Sequence, residues 1–154
     1  MTAYDACENA VEDMAERVLA SGHDVWARTM DLKGWRPEVT HVAVNCIGLL
    51  MFFAREDALA GLAAVNDAVR PGGVAVVNAM VEGTTSLAMF DPAAYYLFPP
   101  DELAAPFAGW KVLHDSIEEF PAAGDKLKRF RTLIVGRPVG YDGVSSVTVG
   151  KYAR

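Results

Sequence analysis

The sequence is short of cysteine, of basic residues and of long apolar segments. Its 154 residues include only two cysteines, Cys7 and Cys46, which excludes a disulfide framework and favours a reducing cytoplasm. The apolar run at 47–54 is far shorter than the roughly 20 residues that span a bilayer, and the N-terminus lacks the features of a signal peptide, so no membrane partner is expected. With 14 Lys and Arg against 20 Asp and Glu, no basic stripe is available to bind nucleic acid.

What the chain does contain is a regular exchange of helix-like and strand-like segments. Apolar residues at helical spacing predict helices over 9–21 and 56–69, the latter ended by Pro71-Gly72-Gly73. The almost wholly apolar segments 39–47 and 74–80 predict strands that are buried on both faces. With a short strand at 24–32, this order predicts an α/β protein with a doubly wound, mostly parallel, Rossmann-like sheet.

The second half of the chain has a different character. Residues 81–100 hold three of the eight prolines and a group of aromatic side chains, which predicts a loop over a pocket. A short helix is expected at 101–107. The segments 111–119 and 127–137 predict two strands joined at Gly124-Asp125, so the sheet should end in an antiparallel C-terminal hairpin.

Three short motifs, together with this hairpin, carry a family resemblance. They are residues 2–5 (Thr-Ala-Tyr-Asp), 29–32 (Thr-Met-Asp-Leu) and 70–73 (Arg-Pro-Gly-Gly). In these features the chain resembles the class I S-adenosylmethionine-dependent methyltransferases over residues 2–138. The resemblance implies S-adenosylmethionine as the cofactor and methyl transfer to a small-molecule acceptor.

A narrower resemblance depends on residues 45–53 (Asn-Cys-Ile-Gly-Leu-Leu-Met-Phe-Phe), on the aromatic and proline-rich loop at 90–100, and on the last strand at 128–134. In these segments the chain is similar to the tellurite-resistance methyltransferases. Those enzymes have a His-Arg pair in the last hairpin, where this chain has Glu118 and Glu119. An acceptor other than tellurite is therefore expected.

The resemblance also assigns site residues. Asp5 would bind the cofactor ribose and Asp31 the adenine amino group. The full set expected to bind the cofactor is Asp5, Ala6, Asp31, Leu32, Asn45, Cys46 and Ile47. The set expected to line the acceptor pocket is Met51, Phe90, Tyr95 and Phe98. No catalytic base is assigned, because methyl transfer depends mainly on positioning and desolvation.

Each assignment has a structural alternative. Asp5 could instead be an acid at the N-terminus of the first helix, and Asp31 could start a turn. Asn45 and Cys46 could be a hydrogen-bonded core amide and a small buried thiol, and Met51 could be core. The three histidines of the chain have no ligand spacing, so no metal site is expected.

The resemblance starts at the end of the family's second strand. On that alignment residues 1–138 form an N-terminally truncated methyltransferase domain without the family's glycine-rich loop, and residues 139–154 form a tail, either an edge strand or a disordered end. Strand 39–47 should then have a bare edge through which a homodimer could form. The alternative function is a non-catalytic methyltransferase-like remnant that acts as a binding or assembly module.

Overall fold

Two sheets form the framework of the fold, which a computed structural model describes over residues 1–140. In the first sheet β1 (Thr2–Asp5) pairs in parallel with β2 (Trp26–Thr29), and α1 (Glu8–Ser21) connects the two strands. The second sheet has the order β3-β4-β6-β5. Its strands are β3 (His41–Ile47), β4 (Val69–Met80), β5 (Lys111–Ala122) and β6 (Lys126–Gly136). The remaining helices are α2 (Arg55–Ala68), α3 (Pro100–Ala104) and the 3-10 turns Leu50–Phe52 and Ala105–Phe107.

The helices begin and end close to the predicted residues. α1 stops where Gly22 adopts φ +69°, and the Gly22 N–H donates to the Val18 carbonyl at 3.1 Å. α2 carries Glu56 and Asp57 in its first turn, where the helix dipole favours negative charge. The predictions for both helices and for the short helix before β5 are confirmed to within about a residue.

The C-terminal hairpin is also confirmed. β5 and β6 pair in antiparallel orientation around Gly124 and Asp125, whose φ angles are +73° and +53°. The connection has three residues, 123–125, because Ala122 pairs with Lys126. Gly and Asp are among the residues that tolerate a positive φ.

The arrangement of strands is not mostly parallel, contrary to the sequence prediction. β1–β2 and β3–β4 are parallel, whereas β4–β6 and β5–β6 are antiparallel. The segment Pro71-Gly72-Gly73 lies within β4, not in a turn ahead of it. The strand pairing with β3 shifts there, and a Cβ at Gly73 would meet the Val42 carbonyl oxygen at 2.7 Å, so only glycine allows this close approach.

The core lies on one face of the four-stranded sheet. Leu62 and Val65 of α2 pack there against alternate residues of β4 and β6. These buried strand residues are Ala75, Val77, Ala79, Leu133 and Val135. On the opposite face Val74, Val76 and Ile134 stay partly exposed, and in β3 only Cys46 is buried. The prediction that strands 39–47 and 74–80 are buried on both faces is therefore wrong for the described residues, because their second face has no helix packed on it there.

The segment between β4 and α3 contributes to the core, which the prediction of a loop did not anticipate. Val81 and Phe98 are fully buried, and the Thr84 hydroxyl accepts a hydrogen bond from the Arg129 N–H at 3.0 Å.

Of the predicted tail at 139–154, residues 141–154 lie outside the described residues. Within the described part, no helix combines the length and the apolar character needed to cross a membrane.

Candidate functional site

A cleft of about 770 Å³ lies between β1 and β3. Each of these strands has one paired edge, β1 with β2 and β3 with β4, and the other edges face the cleft. Gly61 and Val65 of α2 also border it, and a Cβ at Gly61 would meet Leu50 Cδ2 at 2.8 Å. Glycine at that position therefore lets the turn after β3 pack closely on α2.

The carboxyl ends of β1, β2 and β3 lie at the same end of the cleft. β1 and β2 are parallel, and Lys33 Nζ, in the segment after β2, lies 5.9 Å from the ring centroid of Phe53, which follows the 3-10 turn after β3. In α/β folds this end of the strands is the usual place for a ligand.

All seven residues that the sequence predicted to bind a cofactor border this cleft. Asp5 ends β1, and its carbonyl oxygen accepts from the Met30 N–H at 2.9 Å, which keeps the ends of β1 and β2 together. The Asp5 Oδ1 atom accepts from the Cys7 N–H at 2.8 Å, and Asp31 Oδ1 accepts from the Lys33 N–H at 2.9 Å. These turns hold both carboxylates at the strand ends. Their part in binding a cofactor remains a prediction.

Three of these residues, Asn45, Cys46 and Ile47, close β3. The chain then turns at Gly48, where φ is +68° and the N–H donates to the Asn78 carbonyl at 2.9 Å. Burial raises the pKa of the Cys46 thiol to about 11, so the thiol stays protonated at neutral pH. The buried Cys46 side chain therefore forms an apolar part of the cleft wall.

Sequence reasoning missed the aromatic side chains of the cleft. Tyr4 and Trp35 both border it and form a tilted ring pair with centroids 6.2 Å apart, and Phe53 borders it as well. Tyr4 could have been found, since it precedes Asp5 on β1. Trp35 lies in the turn after β2, a region without hydrophobic periodicity to mark it.

The residues predicted to line the acceptor pocket do not border the cleft. Met51, Phe90 and Tyr95 form a separate cluster, in which the rings of Phe90 and Tyr95 stack with centroids 5.2 Å apart. Phe98 is fully buried in the main core and makes an edge-to-face contact with Tyr96. The structure therefore places Phe98 in the main core, apart from the cluster of Met51, Phe90 and Tyr95.

A polar cluster holds the segment before α3 against α2. Arg55 Nη2 lies 2.5 Å from Glu102 Oε1, and the Tyr96 hydroxyl donates to the other carboxylate oxygen of Glu102. The hydrogen bond from Tyr96 and the Arg55 charge lower the pKa of Glu102. Burial and the neighbouring carboxylate raise the pKa of Tyr96. This cluster fixes the position of the loop that carries Phe90 and Tyr95.

No model of a known protein family matches the sequence, and no curated protein matches it. Several solved structures do match the structure of this chain. TehB from Haemophilus influenzae superposes with a TM-score of 0.74 at 15% identity, over 88% of this chain and 49% of TehB. The N-methyltransferase NodS from Bradyrhizobium japonicum WM9, in complex with S-adenosyl-L-homocysteine, superposes with a TM-score of 0.68 at 9% identity, over 89% of this chain and 66% of NodS.

The chain has the fold of the S-adenosylmethionine-dependent methyltransferases. It spans about half the length of TehB and about two thirds that of NodS. The [4+2]-cyclase SpnF also matches, with a TM-score of 0.63 at 14% identity over 90% of this chain and 66% of SpnF. The methyltransferase fold thus also occurs in a protein named for another reaction. At these identities the likeness establishes the fold, and the reaction has to be argued from the site.

Proposed function

We propose that this chain is part of an S-adenosylmethionine-dependent enzyme that transfers a methyl group to a small-molecule acceptor. The observation that carries the proposal is that seven residues from three separate chain segments border one cleft at the strand ends of a methyltransferase fold. Residues 1–138 would be the part of the enzyme that holds the ribose and adenine of the cofactor, together with the C-terminal hairpin.

The residues fit such a cofactor chemically. A carboxylate at the end of β1 suits two vicinal ribose hydroxyls, because its two oxygens can each accept a hydrogen bond. Asp31 would accept from the adenine amino group, and the apolar and aromatic walls at Leu32, Tyr4 and Trp35 suit the flat faces of the base. Asn45 and Ile47 would contact one side of the methionine portion.

When bound, S-adenosylmethionine supplies an activated methyl group on a sulfonium. The chain then has to bind the acceptor in line with that methyl and exclude water, which needs no protein nucleophile. We assign the acceptor side to the cluster of Met51, Phe90 and Tyr95, which lies just beyond β3 and is held by the Tyr96–Glu102 contact.

The acceptor should be soft or neutral, such as a thiol or an aromatic hydroxyl. Aromatic and thioether side chains at this cluster favour an apolar molecule. Glu118, on β5, adds negative charge that would repel an oxyanion, whereas the charge of the neighbouring Glu119 is paired with Arg129 at 3.3 Å. Tellurite should therefore be a poor acceptor, and rapid, saturable formation of volatile methylated tellurium would contradict this.

Calorimetric titration with S-adenosyl-L-homocysteine tests the proposal. We expect saturable binding that is weaker than micromolar, because an open cleft leaves the ligand partly solvated. Asp5→Ala should weaken it by about 1–3 kcal/mol, and Asp31→Ala by less, because Asp31 meets a single amino group. Asp13→Ala, an exposed acid on α1, is the control and should change nothing. Equal affinities for Asp5→Ala and Asp13→Ala would remove Asp5 from the site.

The open edge of β3 favours a second candidate, a non-catalytic binding or assembly module. An apolar strand edge is a ready surface for pairing with another chain, including a second copy of this one. Concentration-dependent self-association together with no detectable S-adenosyl-L-homocysteine binding would favour the module over the enzyme.

A further inference from the structure

A second cavity, of about 290 Å³, adjoins the cleft at the Tyr4–Trp35 ring pair, which borders both. Strands β1 and β2 form one side of this cavity, and the connection from β2 to β3 forms the other, with His41 at the start of β3. Neither Asp5 nor Asp31, the two carboxylates proposed to bind the cofactor, borders it. The cavity is therefore a separate place for a ligand.

Strand register and one turn bring the lining residues of this cavity together. Tyr4 of β1 and Arg28 of β2 are directly opposite in the parallel register, so their side chains point to the same face of the sheet. In the connection, the Trp35 N–H donates to the Leu32 carbonyl at 3.2 Å, and the ring centroids of Trp35 and Tyr4 are 6.2 Å apart. Arg36, the next residue, borders the cavity together with Arg28. Two aromatic rings and two guanidinium groups thus line one small cavity.

Neither arginine of the cavity has an acidic partner within the part of the chain that the structure describes, since no ion pair there involves Arg28 or Arg36. Arg36 Nη1 donates to the Trp35 carbonyl at 2.8 Å, which ties its guanidinium to the turn that carries the Trp35 ring. Of the described residues that border the cavity, only Glu38 is acidic, so the lining has an excess of positive charge in a chain of net charge −6. Free guanidinium N–H groups match the two oxygens of a carboxylate.

We propose that this cavity binds a small aromatic carboxylate. The carboxylate contacts Arg28 and Arg36, and the ring packs against Tyr4 and Trp35. A volume of about 290 Å³ is at the lower end of the range for ligand pockets, which favours a molecule with a single ring. This ligand is distinct from the cofactor, and its binding does not depend on the proposed methyl transfer.

Titration of the isotope-labelled chain with benzoate, followed by NMR, tests the proposal. The chain has three tryptophans, and of these only Trp35 borders the cavity. We expect the indole N–H signal of Trp35, identified by its loss in Trp35→Phe, to shift saturably with benzoate. The signal of Trp110, whose ring packs against Phe107, should stay in place. An unchanged Trp35 signal overturns the proposal.

Arginine variants test the charged contacts. Arg28→Gln and Arg36→Gln should each weaken benzoate binding at least about fivefold, because each removes a charged hydrogen-bond donor. Arg17→Gln, on α1, is the matched control and should leave the affinity unchanged. All three arginines are exposed, so each variant should keep the Tm of the parent chain. An equal loss of affinity in all three variants would be an effect of net charge alone and would contradict the proposed site.

Two further ligands separate the ring from the acid group. Benzamide has the ring without the charge and acetate has the carboxylate without the ring, so each should bind at least about tenfold more weakly than benzoate. Benzamide binding as tightly as benzoate would make the cavity a simple apolar pocket, and equal binding of acetate would make it a general anion site. Either result overturns the proposal. Because S-adenosyl-L-homocysteine is absent from every titration, failure here is distinct from failure of the proposed methyl transfer.

Discussion

Two units of the molecule, β1-α1-β2 and β3-α2-β4, have similar local sequence patterns but differ in how far their side chains are buried. The β1-α1-β2 unit has an amphipathic helix between parallel strands, as does the β3-α2-β4 unit. Yet the buried hydrophobic residues of the described chain begin at Cys46, and α1 has none, whereas α2 contributes Leu62, Ala68 and others to the core. An amphipathic sequence pattern is therefore not sufficient to bury a helix. It needs a sheet wide enough to cover its apolar face.

The apolar face of α1 shows that a narrow sheet leaves a helix partly exposed. Ala10, Met14 and Val18 point in the predicted direction and are half-buried against a sheet of only two strands. α2 packs instead on a sheet of four strands and is covered further by Phe98, Leu103 and Phe107. Burial stabilises in proportion to the apolar area removed from water, so most of the folding free energy should reside in the second region.

Leucine truncation should give the largest contrast between the regions. Leu62→Ala in α2 removes a fully buried side chain, and we expect a loss of about 2–5 kcal/mol in the free energy of unfolding. Leu19→Ala in α1 removes one that is 83% exposed and should change stability by less than about 0.5 kcal/mol. Urea denaturation of both variants measures the difference. Similar losses would mean that α1 is buried in solution by another chain or segment.

The two cysteines should differ in their reactivity toward thiol reagents, because one lies in each of the two units. Cys7 is exposed at the start of α1, whereas Cys46 is buried and its pKa is raised to about 11. At pH 8 a thiol reagent should modify Cys7 at least about 100-fold faster than Cys46, because the thiolate is the reactive form. Mass spectrometry of partly labelled protein gives the ratio. Comparable rates would show that the β3 end opens readily.

A smaller effect is expected from the ion pair between Asp115 of β5 and Arg131 of β6. Arg131 contacts Asp115 through two bonds, Nε–Oδ1 at 2.8 Å and Nη2–Oδ2 at 2.7 Å. The hydrogen bond and charge of Arg131 lower the pKa of Asp115. Stability from a lowered carboxyl pKa is present at neutral pH and is lost as the pH falls below the ordinary aspartate range.

Asp115→Asn should therefore cost about 1 kcal/mol at pH 7, a value limited by partial exposure to solvent, and the cost should shrink in acid. Asp24→Asn, in the first region, keeps an oxygen acceptor for the Trp26 indole and should change little at either pH. The measurement is urea denaturation at pH 7 and pH 3. A pH-independent cost for Asp115→Asn would show that the loss comes from packing, not from charge.

Local patterns were sufficient for the helices and the hairpin turn. Asp5 and Asp31 were assigned because the motifs at 2–5 and 29–32 resemble those of the class I methyltransferases, and each motif spans only four residues. The close approach at Gly73 and the ring of Trp35 in the cleft were not found, because both depend on a strand or ring distant in sequence.

What the sequence by itself determined is where each helix and most strands lie and which of their residues are apolar, since these follow from intrinsic backbone preferences and from side chains a few positions apart. Only the tertiary structure decided which faces are covered. It placed Phe98 in the core, left β3 bare along one edge and separated β1 and β2 from the other four strands. Burial and strand pairing depend on partners far along the chain, and a run of apolar residues such as 39–47 reads the same whether those partners are present or not.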